Sequence, residues 1–456
     1  MTTAPKIKTE GGGRGASVQA LRTKAETALV ESFPSAEPSL PGGAWLRALR
    51  KAAIGAFTAQ GLPHRRVEEW KFTDLRAFMR EAFPLAPDAV PDAATAKSLV
   101  ANALPGADLS ASHVLFFDGA GVSEAGISAV SDIESAFLSR IIDHPPAWLE
   151  TEVSEVSGHV GEATQALNTA YFTDGAVLDI ADGRNVEAPV ALIFASGGGD
   201  KASVATRNVI RVGKGAKLTL VEVHLAPDAP RQVNTLTQLV IGDDAEVVHV
   251  KLVASPAGSI HLGRAVARLG AQSIYRPFQM VVGDGVVRND LGIAFKGEHA
   301  TFDLGSALLG NAEAHQDITM VIDHAVPHCT SRELVKTVLR DHARSVFQGK
   351  VIVRPDAQKT DGKQMAQALM LSPDTEFNSK PELEIYADDV VCGHGSTSAE
   401  IDPELVFYLR SRGISLADAQ AMLVESFVGE AIDKVEPEAV QDALRALARR
   451  WLQGEA

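Results

Sequence analysis

A motif of turn, alanine and strand recurs through the middle of this 456-residue chain. The first three separations between its alanines fit one repeat length, and the longer last one indicates an insertion. A period of 26–29 residues is typical of a solenoid, in which small residues fit the tight turns and each coil stacks on the next. We therefore predict a mainly β chain with a parallel β-helix core. The alanines lie 29, 26, 29 and 43 residues apart: Ala216, Ala245, Ala271, Ala300 and Ala343.

The residues around this motif support strands. Residues 167–401 contain short runs of alternating apolar and polar residues, separated by Gly and Asp turns, and this pattern is typical of β-strands. The same pattern would also suit a Greek-key sandwich whose turns are similar by chance. The clearest runs are 176–180, 190–194, 209–212, 218–223 and 247–253.

Changes in hydrophobic period divide the chain into four predicted regions. Residues 1–14 are polar and Gly-rich, which predicts a disordered tail. Residues 15–150 form a mostly helical N-terminal region, with amphipathic helices near 16–33 and 45–57. The β-helix core covers residues 151–401, and a C-terminal helical domain covers residues 402–456.

The predicted C-terminal helices carry more apolar surface than a small helical unit can bury by itself. The first helix begins at the cap residue Asp402 and the second at Ser415. A partner protein is expected to cover the remaining apolar residues. The candidate partner-binding residues are Leu405, Tyr408, Leu409, Met422, Leu423 and Phe427.

Composition excludes several classes of protein. Lys and Arg total 43 against 58 Asp and Glu, so the net charge of −15 argues against a nucleic-acid binder. No apolar stretch is long enough for a membrane span or a signal core, which predicts a cytoplasmic protein. Two cysteines cannot build a disulfide framework or a four-cysteine metal site. The chain lacks the phosphate-loop and nucleophile-elbow motifs, so we predict that it is not an enzyme.

Two segments contain the cysteines and several histidines. Cys392 and His394 lie two residues apart, so on a strand their side chains would face the same side. A thiolate with an imidazole suits iron, zinc or an iron–sulfur cluster. His324, His328 and Cys329 form an alternative set that would suit zinc. Ordinary structural roles remain open for all five, because a lone cysteine commonly acts as a small buried apolar residue.

Seven motifs make the chain closely resemble the SufD family, a subunit of the SUF iron–sulfur cluster assembly complex. The most specific of them is Cys392-Gly393-His394-Gly395, although the family commonly has Ser at the position of Gly393. The sister family SufB shares the C-terminal pattern, but the stretch from Arg65 to Lys71 is more similar to SufD. The motifs are residues 61–71, 167–175, 345–350, 357–361, 381–390, 392–395 and 405–414.

The resemblance implies a right-handed parallel β-helix between helical regions, and a non-catalytic scaffold function. It implies that the chain pairs with SufB and that its C-terminal helices bind the ATPase SufC. It places the family's metal-site histidine at His394, with Cys392 as its companion, so that a transient iron–sulfur cluster or iron is shared with the partner. A reduced flavin and a homodimer of the isolated chain are further expectations. The alternative from another class is a β-solenoid that binds or processes polysaccharide.

Overall fold

The computed structural model describes residues 22–87, 89–125, 133–155 and 162–454. The predicted tail at 1–14 and the predicted helical residues 16–21 lie outside the described residues. The helices within these ranges are α1 Lys24–Ala36, α2 Ala44–Gln60, α3 Leu75–Phe78, α4 Ala93–Ala101, α5 Leu138–Ile141, α6 Ala147–Ser154, α7 Glu162–Tyr171, α8 Pro403–Arg410, α9 Leu416–Ile432 and α10 Glu438–Gln453.

Strands dominate the middle of the chain. They are β1 His113–Phe117, β2 Ala120–Ala125, β3 Ile133–Phe137, β4 Ala176–Ile180, β5 Val190–Ala195, β6 Ala202–Val212, β7 Lys217–His224, β8 Arg231–Ile241, β9 Glu246–Ala254, β10 Ile260–Leu269, β11 Ile274–Gly283, β12 Val286–Phe295, β13 Thr301–Gly310, β14 His315–His324, β15 Thr330–Leu339, β16 Arg344–Val353, β17 Asp361–Met370, β18 Glu376–Ile385 and β19 Val391–Ala399.

From β4 onward, successive strands alternate between two sheets, which makes the body a parallel β-solenoid. The ten-stranded sheet has the order β19-β17-β15-β13-β11-β9-β7-β5-β1-β2, and the nine-stranded sheet has the order β18-β16-β14-β12-β10-β8-β6-β4-β3. From β4 onward each pair of consecutive strands forms one coil, which gives eight coils. Pairing between coils is parallel throughout, so the solenoid prediction is confirmed and the Greek-key alternative is wrong.

A buried small residue precedes each strand of the ten-stranded sheet from β7 to β15. The residue directly before the strand is completely buried in each of these coils, because the chain turns there into the solenoid interior. The residues at this position are Ala216, Ala245, Ser273, Ala300 and Cys329. The predicted motif alanine Ala271 lies two residues before Ser273 and does not occupy this position.

The predicted insertion between Ala300 and Ala343 is therefore wrong. Cys329 takes the alanine position 29 residues after Ala300, as the pairing of Thr301 with Thr330 shows. Ala343 instead precedes β16, which belongs to the nine-stranded sheet. Each coil contains two similar turns, and counting across both of them lengthened the apparent repeat.

Three layers of apolar side chains hold the fold together. The first fills the solenoid interior between the two sheets. The second lies between the ten-stranded sheet and the helices α9 and α10, and the third lies between the nine-stranded sheet and the helices α1, α2 and α7. Burial of these faces is the main stabilising contribution. Helices thus cover both outer faces, while the last coil stays at an open end.

Candidate functional site

The two candidate metal ligands lie on the last strand of the solenoid. Cys392 and His394 belong to β19, which pairs on one side with β17 and forms the edge of the ten-stranded sheet. The Cys392 side chain is half-buried and packs against the interior apolar cluster. His394 faces the same side of the strand but is exposed, because no coil follows β19 within the described residues.

Polar side chains extend from His394 into the solenoid interior. In strand register, His394 pairs with Gln364 on β17, and Gln364 pairs with Glu333 on β15. Gln364 and Glu333 are almost completely buried, and neither side chain has a well-formed hydrogen bond to any described residue. We call Glu333, Gln364 and His394 the interior row. The interior row is thus a line of polar side chains that runs from the inside of the solenoid to its open end.

Burial sets the protonation of the groups near this row. It raises the pKa of the Glu333 carboxyl to about 8, so this side chain is largely neutral at pH 7. Burial also raises the pKa of the Cys392 thiol, and the nearby carboxylate of Asp361 adds to the effect. A protonated thiol binds metal poorly until it loses its proton. The exposed imidazole of His394 is therefore the more available ligand.

Exposed apolar residues surround the open end of the solenoid. The side chain of Val391 is 62% exposed and that of Tyr386 is 59% exposed, and Ile385 and Met365 are also solvent-accessible. We call these four residues the terminal patch. Among the described residues, no strand pairs with the free sides of β18 and β19. Unpaired strand edges beside apolar side chains are typical of a surface that another chain covers.

The C-terminal helices differ in how they meet the solenoid. Helix α9 packs on β13 and β15, and its buried residues include Val424 and Val428. Helix α10 buries Trp451, whose indole N–H donates to Asn311 Oδ1 at 3.3 Å. Helix α8, capped by Asp402 as predicted, buries none of its residues.

The six predicted partner-binding residues fall into two groups. Leu405, Tyr408 and Met422 are exposed, while Leu409, Leu423 and Phe427 are half-buried. The ring of Phe427 lies under Lys336 Nζ of β15 at 4.5 Å, so it also contacts the solenoid. Phe407, which is not among the six predicted residues, is 75% exposed. Its position between Leu405 and Tyr408 was the available signal.

The charged motif at residues 61–71, with the residues directly after it, has a structural position that the sequence did not reveal. Trp70 stacks on the Arg288 guanidinium at 3.8 Å, and Thr73 Oγ1 lies 2.9 Å from His315 Nε2. Glu68 pairs with Lys380 of β18 at 2.5 Å. The motif therefore crosses the outer face of the nine-stranded sheet and reaches the last coil.

The solenoid interior also contains a charged cluster that the sequence analysis missed. The Glu222 carboxylate lies 2.9 Å from Lys251 Nζ and 2.7 Å from His224 Nε2, and 3.3 Å from His249 Nε2. All four side chains are buried. Burial disfavours the charge on Glu222, but Lys251 and the two histidines outweigh it and hold its pKa well below the ordinary value. The carboxylate is therefore ionised.

Comparison with known families identifies the chain. A family model for "SUF system FeS cluster assembly, SufBD core domain" matches residues 194–427, and one for "SufBD protein N-terminal region" matches residues 26–192. The chain belongs to the SufBD family. Its relatives include an iron–sulfur cluster assembly SufBD family protein of Synechocystis, 30% identical over 87% of this chain and 89% of the relative.

Two relatives carry the name of the resembled subunit. The iron–sulfur cluster assembly protein SufD of Escherichia coli is 28% identical over 87% of this chain and 90% of its own length. The protein SufD of Bacillus subtilis is 25% identical over 62% of this chain and 66% of its own length. The resemblance to SufD is confirmed. As a SufBD family member, the chain is an iron–sulfur cluster assembly component and not an enzyme.

The alternative zinc site does not form in this SufBD family member. His324 is buried and stacks on Phe295 at 4.3 Å, whereas His328 stacks on His299 at 4.7 Å. The thiol of Cys329 is directed at the carbonyl oxygen of residue 297 at 3.4 Å. No three His, Cys, Asp or Glu side chains in the described ranges are placed to hold a metal ion. Likewise, no described helix is long and apolar enough to cross a membrane.

Proposed function

We propose that this chain is a scaffold subunit that pairs with a SufB-type subunit through its last solenoid coil. The observation that carries the proposal is the open end, where the terminal patch and two unpaired strand edges surround an exposed His394. A partner strand on β18 or β19 would satisfy the free backbone groups, and its side chains would cover Val391 and Tyr386.

The cargo of this interface is iron or a nascent iron–sulfur cluster. His394 can supply an imidazole nitrogen, and Cys392 can supply a thiolate once it is deprotonated. Iron–sulfur clusters need more ligands than these two residues offer. The partner therefore completes the set of ligands, which explains why the site lies at an edge and not inside one chain.

We further propose that α8 and the adjoining surface of α9 bind a SufC-type ATPase. Helix α8 buries none of its residues, and it exposes Leu405, Phe407 and Tyr408 together. The chain has no phosphate-loop motif of its own, so nucleotide hydrolysis would come from the partner. Because α9 packs on β13 and β15, a movement of the ATPase would act directly on the solenoid.

Co-expression with a SufB-type and a SufC-type protein tests the partner assignments. The chain should co-purify with both proteins. Replacing Phe407 with Asp should weaken binding of the ATPase about 30-fold or more, as expected for an aromatic interface anchor. The fold should be unaffected, because Phe407 is largely exposed. Binding is measured by titrating the purified ATPase onto the immobilised chain.

Val90→Asp is the matched control for this variant. Val90 is also apolar and highly exposed, but it lies outside the C-terminal helices, so its replacement should leave ATPase binding unchanged. Equal binding by wild-type chain and Phe407→Asp would contradict the assignment of α8. Three expectations from the sequence analysis above stay predictions: a bound reduced flavin, a homodimer of the isolated chain, and a cytoplasmic location.

A further inference from the structure

A cleft of about 700 Å³ lies on the outer face of the nine-stranded sheet, outside the last coil. Its walls come from β6, β8, β10, β12 and β14 together with residues before and within α7. A cleft of this size is typical of a small-molecule site. Four basic residues line it: Arg207, Arg264, Arg268 and Lys296.

Two of these arginines are buried with unused hydrogen-bond donors. Arg207 is completely buried; its Nε donates to Gln238 Oε1 at 2.9 Å and its Nη1 to Thr169 Oγ1 at 3.2 Å, but its Nη2 has no acceptor. Arg264 is 5% exposed, and its Nε and Nη1 have no acceptor. Within the described ranges, no carboxylate forms a salt bridge with either residue.

The acidic residues of the cleft do not neutralise these two cations. Glu152 and Glu155 both accept from Arg268. Asp323 is paired with Arg354 at 2.8 Å. Asp290, which lies outside the cleft and is paired with Arg288, and Glu162 attract Arg264 through their charges, but neither forms a salt bridge with it.

A buried guanidinium donor without an acceptor is costly, because it has lost its bond to water. Burial lowers the pKa of Arg207 to about 10, so this side chain still carries its charge at neutral pH. An anion would supply the missing acceptors. The planar fork of a guanidinium matches two oxygens of a phosphate group particularly well.

We propose that this cleft binds a small molecule that carries a phosphate group, with Arg264 and Arg207 donating to the phosphate oxygens. Gly292 keeps the approach to Arg264 open. A Cβ atom added there would lie 4.0 Å from Arg264 Nη2 and 3.8 Å from Val266 Cγ2. A side chain is therefore tolerated at this position, and a large one would occupy the cleft. The proposal is independent of the assembly role and of both protein partners.

Calorimetric titration of the full chain with inorganic pyrophosphate tests the proposal. Wild-type chain should show saturable binding of one pyrophosphate. Arg264→Gln should weaken it about tenfold or more, because a charge-assisted fork is lost, and Gly292→Leu should weaken it by obstruction. Arg211→Gln is the matched control, since Arg211 lies on the same strand as Arg207 but is paired with Asp179 outside the cleft. This control should bind as wild type does.

Thermal unfolding of each variant checks that the fold is retained. A parallel titration with orthophosphate separates two sources of the ligand: equal affinity points to a free phosphate anion, and much weaker affinity to a phosphorylated metabolite. The proposal is wrong if wild-type chain shows no saturable binding up to about 10 mM pyrophosphate, well above a weak Kd of about 1 mM. Unchanged affinity in Arg264→Gln, or an equal loss in Arg211→Gln, would also overturn it.

Discussion

Replacing Lys251 with Met is expected to destabilise the fold by about 3–5 kcal/mol, the usual effect of removing one partner of a buried ion pair. Lys251 Nζ lies 2.9 Å from the Glu222 carboxylate in the solenoid interior. Without the ammonium group, Glu222 would be a buried charge supported only by neutral donors and imidazoles, from Thr237, His224 and His249. Urea denaturation of the purified chain measures the loss.

The same pair of strands supplies a matched control. Lys217 of β7 pairs with Glu246 of β9 at 3.0 Å, but the Lys217 side chain is 59% exposed. Lys217→Met should therefore cost only about 0–1 kcal/mol. In the double variant Glu222→Gln with Lys251→Met, the uncompensated charge is absent, so part of the stability should return. Similar losses in Lys251→Met and Lys217→Met would contradict this account of the interior cluster.

Acidification from pH 6.5 to pH 4 is expected to lower the stability of the fold, and this is the second large effect. Burial lowers the pKa values of His315 and His324 from 6.5 to about 4. Below pH 6.5 the unfolded chain binds more protons than the folded one, so stability is fully present above pH 6.5 and is lost as the pH falls towards 4. At about 1.4 kcal/mol per pH unit, each histidine contributes about 3 kcal/mol to this loss.

The buried Glu333 changes the pH dependence of stability in the opposite direction. Its folded pKa of about 8 lies above the ordinary value of 4.5, so its contribution to stability is lost as the pH rises from 4.5 to 8. Glu333 therefore offsets part of the loss between pH 6.5 and pH 4, whereas His224 and His261, whose pKa values burial also lowers, add to it. A variant that removes one histidine isolates its share of the pH dependence.

His324→Phe provides this separation. His324 is completely buried against Phe295, and neither of its ring nitrogens has a hydrogen-bond partner among the described residues. A phenyl ring can take the same position without a proton to bind. Unfolding measured by urea at several pH values should give a shallower dependence between pH 6.5 and 4 in the variant. An unchanged slope would contradict the assignment of a buried neutral imidazole.

The solenoid could be predicted because each coil repeats the same local requirement. A small residue precedes each strand of the ten-stranded sheet from β7 to β15, so alanines at a nearly constant spacing reveal the coil length. The error arose where that requirement was met differently. Ser273 and Cys329 fill the alanine position in two coils, and the turn before Ala343 belongs to the other sheet. The spacing of alanines alone could not distinguish the two turns of a coil.

The candidate site was only partly predictable, because strand register decides which distant residues meet. The spacing of Cys392 and His394 fixed their common side. Glu333 and Gln364 join His394 through pairings 31 and 30 residues apart, and nothing local in the sequence marks them. The exposure of His394 depends on its place in the last coil. The cleft of Arg207 and Arg264 could not be predicted either, because these residues lie on different strands that only the strand register brings together.

The most direct test of the scaffold proposal is acid-labile sulfide per assembled complex, with His394→Ala in place of the wild-type chain. We expect complex yield and thermal stability close to wild type, because an exposed side chain seldom contributes more than about 0.5 kcal/mol. Sulfide per complex should fall sharply, while Cys392→Ser, whose thiol is half-buried, should show a milder loss. Wild-type sulfide in an intact His394→Ala complex would contradict the proposal that this residue binds the cargo.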